Sequence, residues 1–159
     1  IPENLLEGVK ITYNGVDYVN GSSFSLAASS TFNFSISKET TLANYDLIEA
    51  NDALQAYTIA SGTAVSLFTQ SIADFDGNGS VTTADVQAIL DFSTGIRTFD
   101  TDSSISGTQQ PTWKFTTDVT AAADTDNNFT QTLSTSDVTL TLFGGYLGDV
   151  DNTYLDFYA

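Results

Sequence analysis

Residues 74–85 run Asp74, Phe75, Asp76, Gly77, Asn78, Gly79, Ser80, Val81, Thr82, Thr83, Ala84, Asp85. Oxygen-bearing side chains stand at the first, third and fifth places, glycine at the sixth, a hydroxyl at the ninth and a carboxylate at the twelfth. A loop that wraps a hard divalent cation needs that spacing. Side-chain oxygens converge from positions 1, 3 and 5, a glycine makes the sharp turn at 6, and a main-chain carbonyl points inward at 7. A group at 9 often acts through water, and a carboxylate at 12 closes the shell. The metal ligands read from these positions are Asp74, Asp76, Asn78, the Ser80 carbonyl, Thr82 and Asp85, and the ion is Ca2+. Val81 takes the apolar eighth place and is expected to pack inward. The closing acid opens a helix, so the loop predicts a helix directly behind it. Asp85 stands where a Glu is usual. Asp is one methylene shorter, so the incoming helix must approach the ion more closely.

Composition agrees with such a site. The chain has 159 residues, 20 acids against 4 Lys and Arg, no His, no Cys and a net charge of −16. Sixteen of the acids are Asp and four are Glu. Glu forms helices better, whereas Asp favours caps, turns and hard-cation sites, so the skew goes beyond a merely solvated acidic face. The alternative source of the skew is an Asp-rich β-protein adapted to salt. Lys10, Lys38, Arg97 and Lys114 are scattered and form no basic patch, which argues against a nucleic-acid partner. Without His or Cys there is no thiol nucleophile, no disulfide, no zinc finger and no His-based triad. A carboxylate-pair enzyme is the remaining catalytic option, and nothing marks two acids as such a pair. The chain is read as no enzyme.

Ser and Thr total 41, and the chain starts at Ile1 without an apolar segment of signal or membrane length. It reads as a processed or excised piece of an extracellular, cell-surface protein, in which calcium does the stapling that disulfides do elsewhere. The sequons at Asn20, Asn33 and Asn128 are taken as chance in so Asn- and Thr-rich a chain.

Hydropathy patterning divides the chain. Val9, Ile11 and Tyr13 alternate with polar residues, Asn14-Gly15 follows, and Val16 and Tyr18 resume the alternation. Asn-Gly between two alternating runs signals a hairpin, because both turn positions need positive φ. Phe32, Phe34 and Ile36 mark a further half-buried strand. Apolar residues then recur at helical spacing over 47–60 and again over 83–94, with Gly62 and Gly95 at the C-terminal cap positions. The β pattern returns at Trp113 and Phe115, at 129–133, at 138–143 and at 154–158. The expected fold is mainly β: a β-sandwich from residues 1–40 and 98–159, with a helical calcium-binding subdomain inserted at 41–97. The two helical units repeat loosely at an offset of 33, which aligns Asp52 with Asp85 and Gly62 with Gly95.

The run ADFDGNGSVTTADVQAIL (73–90) resembles the second repeat of type I dockerins, in which a calcium loop leads into a helix and the preceding helix is dispensed with. NYDLIEANDALQAYTIASG (44–62) is similar to the first repeat, with a degenerate loop. Counting back from Asp52 puts Thr41, Ala43 and Tyr45 at positions 1, 3 and 5. PTWKFTTD (111–118) and YLGDVDNTYLDF (146–157) resemble the segments PSWVFVD and GDVDGSY, which accompany such pairs near the C-terminal ends of large bacterial surface proteins and adhesins. The resemblance spans roughly 41–157. It implies a calcium-stabilised surface or filament module rather than a cellulosome part.

Asp149 and Asp151 occupy the first and third places of a loop that is then not completed. They either form a second calcium site with Asp46, Asn51 or Asp52, or make an acidic turn. Asp124, Asp126 and Asn128 have similar spacing but lack the glycine and the closing acid, and are read as a plain loop. Two functions are carried forward. One is a structural or adhesive module whose partners are copies of itself or other cell-surface proteins, with IPENLLEG at the start able to add a strand to a neighbouring sheet. The other is a true dockerin that binds a cohesin through positions near Ala84, Val86 and Gln87.

Overall fold

The computed structural model describes residues 8–19, 25–38, 47–98, 113–122, 127–134 and 141–151. Strands β1 (Val9–Tyr13) and β2 (Val16–Val19) form the expected hairpin, with Tyr13 opposite Val16. Its turn residues Asn14 and Gly15 have φ of 50° and 76°, as the sequence requires. Strand β3 (Thr31–Lys38) buries Phe32, Phe34 and Ile36 and turns the residues between them outward. Helices α1 (Ala50–Ala60), α2 (Leu67–Ala73) and α3 (Thr83–Ser93) follow, and then β4 (Trp113–Thr116), β5 (Asn128–Thr132) and β6 (Phe143–Tyr146). One antiparallel sheet has the order β2-β1-β3-β5, and the second is the antiparallel pair β4-β6.

This is a mixed α/β arrangement rather than a β-sandwich. Among the described residues the larger sheet meets a two-stranded partner, and the helices complete the core. Phe32, Phe34 and Ile36 of the large sheet join one cluster with Trp113, Phe115 and Tyr146 of the small sheet and with Ile48, Phe75, Ile89 and Phe92 of the helical part. Val81 packs against the same cluster, as its place in the loop predicts. α1 and α3 are each 11 residues long and lie 33 residues apart, so the sequence repeat is also a structural one. Both end on a left-handed glycine, Gly62 at φ 102° and Gly95 at φ 73°.

Three features depart from expectation. A short helix, α2, stands directly before the 74–85 loop, where the dockerin resemblance dispenses with one. Its start is fixed by Ser66, whose hydroxyl accepts the Thr69 amide at 3.0 Å. Secondly, a strand runs over Phe143–Tyr146; of the run expected at 138–143, residues 138–140 lie outside the described residues, Thr141 and Leu142 are in no strand, and Phe143 opens β6. Gly144 and Gly145 are strand residues that give neighbours room. A Cβ on Gly144 would lie 2.8 Å from the Phe115 ring, and one on Gly145 would lie 2.8 Å from Ile72 Cδ1. Thirdly, β4 is buried at all four positions, so Lys114 and Thr116 do not face solvent as alternation suggests.

Asn127 joins the two sheets. It is buried, its side-chain carbonyl accepts the Phe115 amide at 3.0 Å, and its side-chain amide donates to the Trp113 carbonyl at 2.7 Å. Its own carbonyl accepts the Ile36 amide at 3.0 Å. One Asn thus pairs with two strands in place of a ladder neighbour. The segment 1–7, the degenerate loop at 41–45, the residues Asp46, Asp124 and Asp126, and the strand expected at 154–158 lie outside the described residues. No helix among the described residues is long and apolar enough to cross a membrane.

Gly148 follows β6 at φ 90°, and a Cβ there would lie 2.7 Å from the Phe75 ring and 3.0 Å from Ile48 Cδ1. Gly148→Ala should therefore destabilise the fold by about 2–4 kcal/mol, from backbone strain plus overpacking. Urea titration checks this, and a midpoint equal to that of the unaltered chain would contradict it.

Candidate metal centres

Asp74 ends α2, and its amide donates to the Gln70 carbonyl at 2.8 Å. From there the carboxylate reaches over the loop. Its two oxygens accept the Asn78 amide at 3.1 Å and the Gly79 amide at 2.8 Å. Asp76 also accepts from the Asn78 amide, at 3.0 Å, and the Asn78 side-chain carbonyl accepts the Ser80 amide at 3.0 Å. Gly77 and Gly79 have φ of 70° and 91°, which lets successive amides turn inward. Ser80 enters this network through its backbone. The Thr82 hydroxyl donates to Asp85 at 2.9 Å and accepts the Ala84 amide at 3.2 Å, so the ninth position caps the helix.

Asp85 closes the loop. One oxygen accepts the Thr82 amide at 2.8 Å, completing a capping box at the start of α3. The other accepts the amides of Phe75 and Asp76 at 2.9 and 3.1 Å. Carboxylate oxygens of Asp74, Asp76 and Asp85 lie within 4.8 Å of one another. Oxygens that share one calcium at 2.3–2.6 Å can be at most about 5 Å apart, so the spread fits a single ion. The donors are all oxygen, with no nitrogen or sulfur ligand, which is the chemistry of a hard cation.

A second cluster is built the same way from pieces distant in sequence. Glu49 precedes α1, and its amide donates to Asp52 at 2.7 Å in a reciprocal capping box. Adding the repeat offset of 33 to Glu49 and Asp52 gives Thr82 and Asp85, the box of the intact loop. The other Asp52 oxygen accepts the amide of Asp151 at 3.0 Å, and the Val150 amide also bonds this carboxylate. Asp149, Val150 and Asp151 therefore stand to Asp52 as Asp74, Phe75 and Asp76 stand to Asp85. Carboxylate oxygens of Asp52, Asp149 and Asp151 lie within 4.8 Å of one another. The Asn51 side-chain amide donates to Asp151. Asp149, Val150 and Asp151 repeat the arrangement of the first three residues of the 74–85 loop, and they come from beyond β6 to a helix 99 residues earlier. Of the proposed second-site residues, Asp52, Asp149 and Asp151 come together, Asn51 bonds Asp151, and Asp46 lies outside the described residues.

The electrostatics are those of acids crowded together and partly buried. Burial pushes the Asp52 carboxyl up to about 6, against the pull of amides from Glu49, Asp151 and Val150, and the Asp151 charge adds to the rise. Burial also raises Asp74. The Gly79 amide opposes that, the Asp85 charge reinforces it, and the Lys114 ammonium opposes it. Lys114 itself is lowered by burial and partly restored by Asp74. Sequence reading missed Lys114. The regular alternation of Trp113, Lys114, Phe115 and Thr116 carries no signal for it, because that pattern places Lys114 on the solvent side. A divalent cation at either cluster reverses the pressure on the acids, because it favours the charged carboxylate.

The raised Asp52 gives a signed pH prediction. Between its ordinary value of 3.8 and about 6, the folded chain holds a proton that the unfolded chain has lost. This favours folding at low pH and is lost as pH rises through about 6, at a cost on the order of 2–3 kcal/mol by neutrality. The metal-free protein should melt several degrees higher at pH 5 than at pH 7.5, and Asp52→Asn should flatten that slope. Thermal melts in chelator across this range check both.

Comparison with family models, with curated proteins and with solved structures finds no match to this chain. The case for a metal at these clusters is thus carried by their oxygen geometry.

Proposed function

We propose that this chain is a calcium-stabilised structural or adhesive module of an extracellular surface or filament protein. Two calcium ions would clamp its helical part to its strands. The observation that carries this reading is the pair of matching clusters, each with three carboxylates in reach of one ion and each closed by the buried Asp of a capping box. Calcium at the 74–85 loop would be held by Asp74, Asp76, Asn78, the Ser80 carbonyl and Asp85, with Thr82 capping α3. At the second site Asp52, Asp149 and Asp151 would hold it. The ion supplies charge neutralisation and bridging only. The chain does the positioning, since the first site joins α2 to α3 and the second joins α1 to the segment behind β6. The dockerin-like repeats, the abundance of Ser and Thr and the lack of Cys support the extracellular setting.

Self-association is part of this reading. β2 is an edge of the larger sheet and leaves Val16 and Val19 about half exposed, a surface suited to strand addition. One observation favours a second reading, a dockerin-type module that binds a cohesin. Tyr57 of α1 and Leu90 of α3 are related by the repeat offset of 33 and both are exposed. A pulldown against a cohesin panel discriminates the two, and capture by any cohesin would favour the second.

Calorimetric titration should give two calcium ions per chain. Saturation should raise the melting temperature by on the order of 10 °C over the chelated protein, since each site at a hundredfold excess over its Kd adds about 2.7 kcal/mol. Asp76→Ala and Asp151→Ala, at exposed and half-buried ligands, should each remove one ion. A melt unchanged by chelator, with no heat of binding, rejects the reading. A stoichiometry of one that Asp151→Ala leaves intact restricts it to the 74–85 loop.

A further inference from the structure

Lys114 is a buried cation on β4. Its register partner on β6 is Gly145, where the missing side chain lets Ile72 and Phe68 of α2 pack directly on the small sheet. The Lys114 ammonium spans that contact and donates to the Ser71 carbonyl at 2.9 Å. Ser71 is in the last turn of α2, the turn that Asp74 closes by donating to Gln70. Two backbone bonds hold α2 on the same surface: the Gly148 amide to the Ile72 carbonyl at 3.0 Å, and the Phe68 amide to the Val119 carbonyl at 3.4 Å. The ammonium is thus held at the last turn of α2, which Asp74 closes, and the opposite charges of Lys114 and Asp74 act on each other.

We propose that Lys114 is the fixed internal counter-charge of the 74–85 loop, opposing the bound ion and setting its affinity below what the three carboxylates alone would give. The inference rests on the calcium reading above. In the metal-free chain the ammonium offsets part of the charge of Asp74. When an ion enters, the same ammonium becomes a like charge held in a poorly screened interior, where it cannot swing away. Affinity in such loops follows the net charge of the ligand set, and an ammonium that acts on Asp74 makes that set less negative. The loop would therefore respond to calcium at the higher concentrations typical of extracellular modules. Because Lys114 lies on β4, the sheet itself supplies the charge that tunes the loop.

The test compares calcium titrations of the intact chain and of Lys114 variants, all carrying Asp151→Ala so that only the 74–85 loop is read. Lys114→Met removes the charge. Lys114→Gln removes it while keeping a donor for the Ser71 carbonyl, and it decides the matter if the Met variant does not fold. Both should bind calcium about three- to tenfold more tightly and show a larger calcium-dependent rise in melting temperature, while Lys114→Arg stays within about twofold of the parent. A purely structural tether predicts something else: melting lowered equally with and without calcium, and affinity unchanged or weakened in the Gln variant. That result overturns the proposal. If the parent binds no calcium, the underlying reading falls along with it, which is distinguishable from a parent that binds and variants that do not tighten.

Discussion

Asp85 has no exposed surface, and both of its oxygens are occupied by backbone amides from the two ends of one loop. This one carboxylate caps α3 and ties the residues behind α2 to the start of α3. Asp52 does the same for α1 and the segment behind β6. A buried carboxylate is expensive unless amides or a cation compensate it. In both places the amides are in position, and further acids stand beside them, which increases the negative charge. The helical part is thereby organised around two points whose electrostatic strain a divalent ion would relieve.

The strands fix where these points lie. β4 and β6 form a narrow platform, and Gly145 opens it so that α2 can sit close. α2 then sets the position of Asp74, while the continuation of β6 through Gly148 delivers Asp149 and Asp151 to α1. Asn127 bonds the small sheet to the large one, and Lys38 at the end of β3 lies over the Trp113 ring at 5.1 Å. A shift of β6 would thus move one ligand set directly and the other through α2.

Much of this was legible in the sequence where the signal is local. Asn14-Gly15 fixed its hairpin, the alternation of Phe32, Phe34 and Ile36 fixed a strand, and the spacing from Asp74 to Asp85 fixed a loop and the helix behind it. What was hidden has a common physical cause. α2 is only seven residues long, so its apolar side chains show no periodicity. Gly144 and Gly145 have poor strand propensity, and their value appears only once Phe115 and Ile72 are seen to fill the space. Lys114 reads as a solvent-facing residue, because alternation describes one covered face and β4 is covered on both. The antiparallel strands were expected, but the mixed α/β packing was hidden for a related reason: counting strands does not reveal that helices complete the core over the described pair β4-β6.

The sequence by itself determined the 74–85 loop, because all its oxygen-bearing side chains lie within twelve consecutive residues and its turn within two glycines. It also carried the repeat that aligns Asp52 with Asp85, since a capping box is a local pattern. Tertiary structure alone decided between a joined cluster and a separate acidic turn for Asp149 and Asp151. Asp52 meets Asp149 and Asp151 across about a hundred residues, and only the path of β6 under α2 brings them together. The same holds for Lys114. Its identity is written in the chain, but its burial beside Asp74 results from packing, and packing is set by contacts that no sequence window contains.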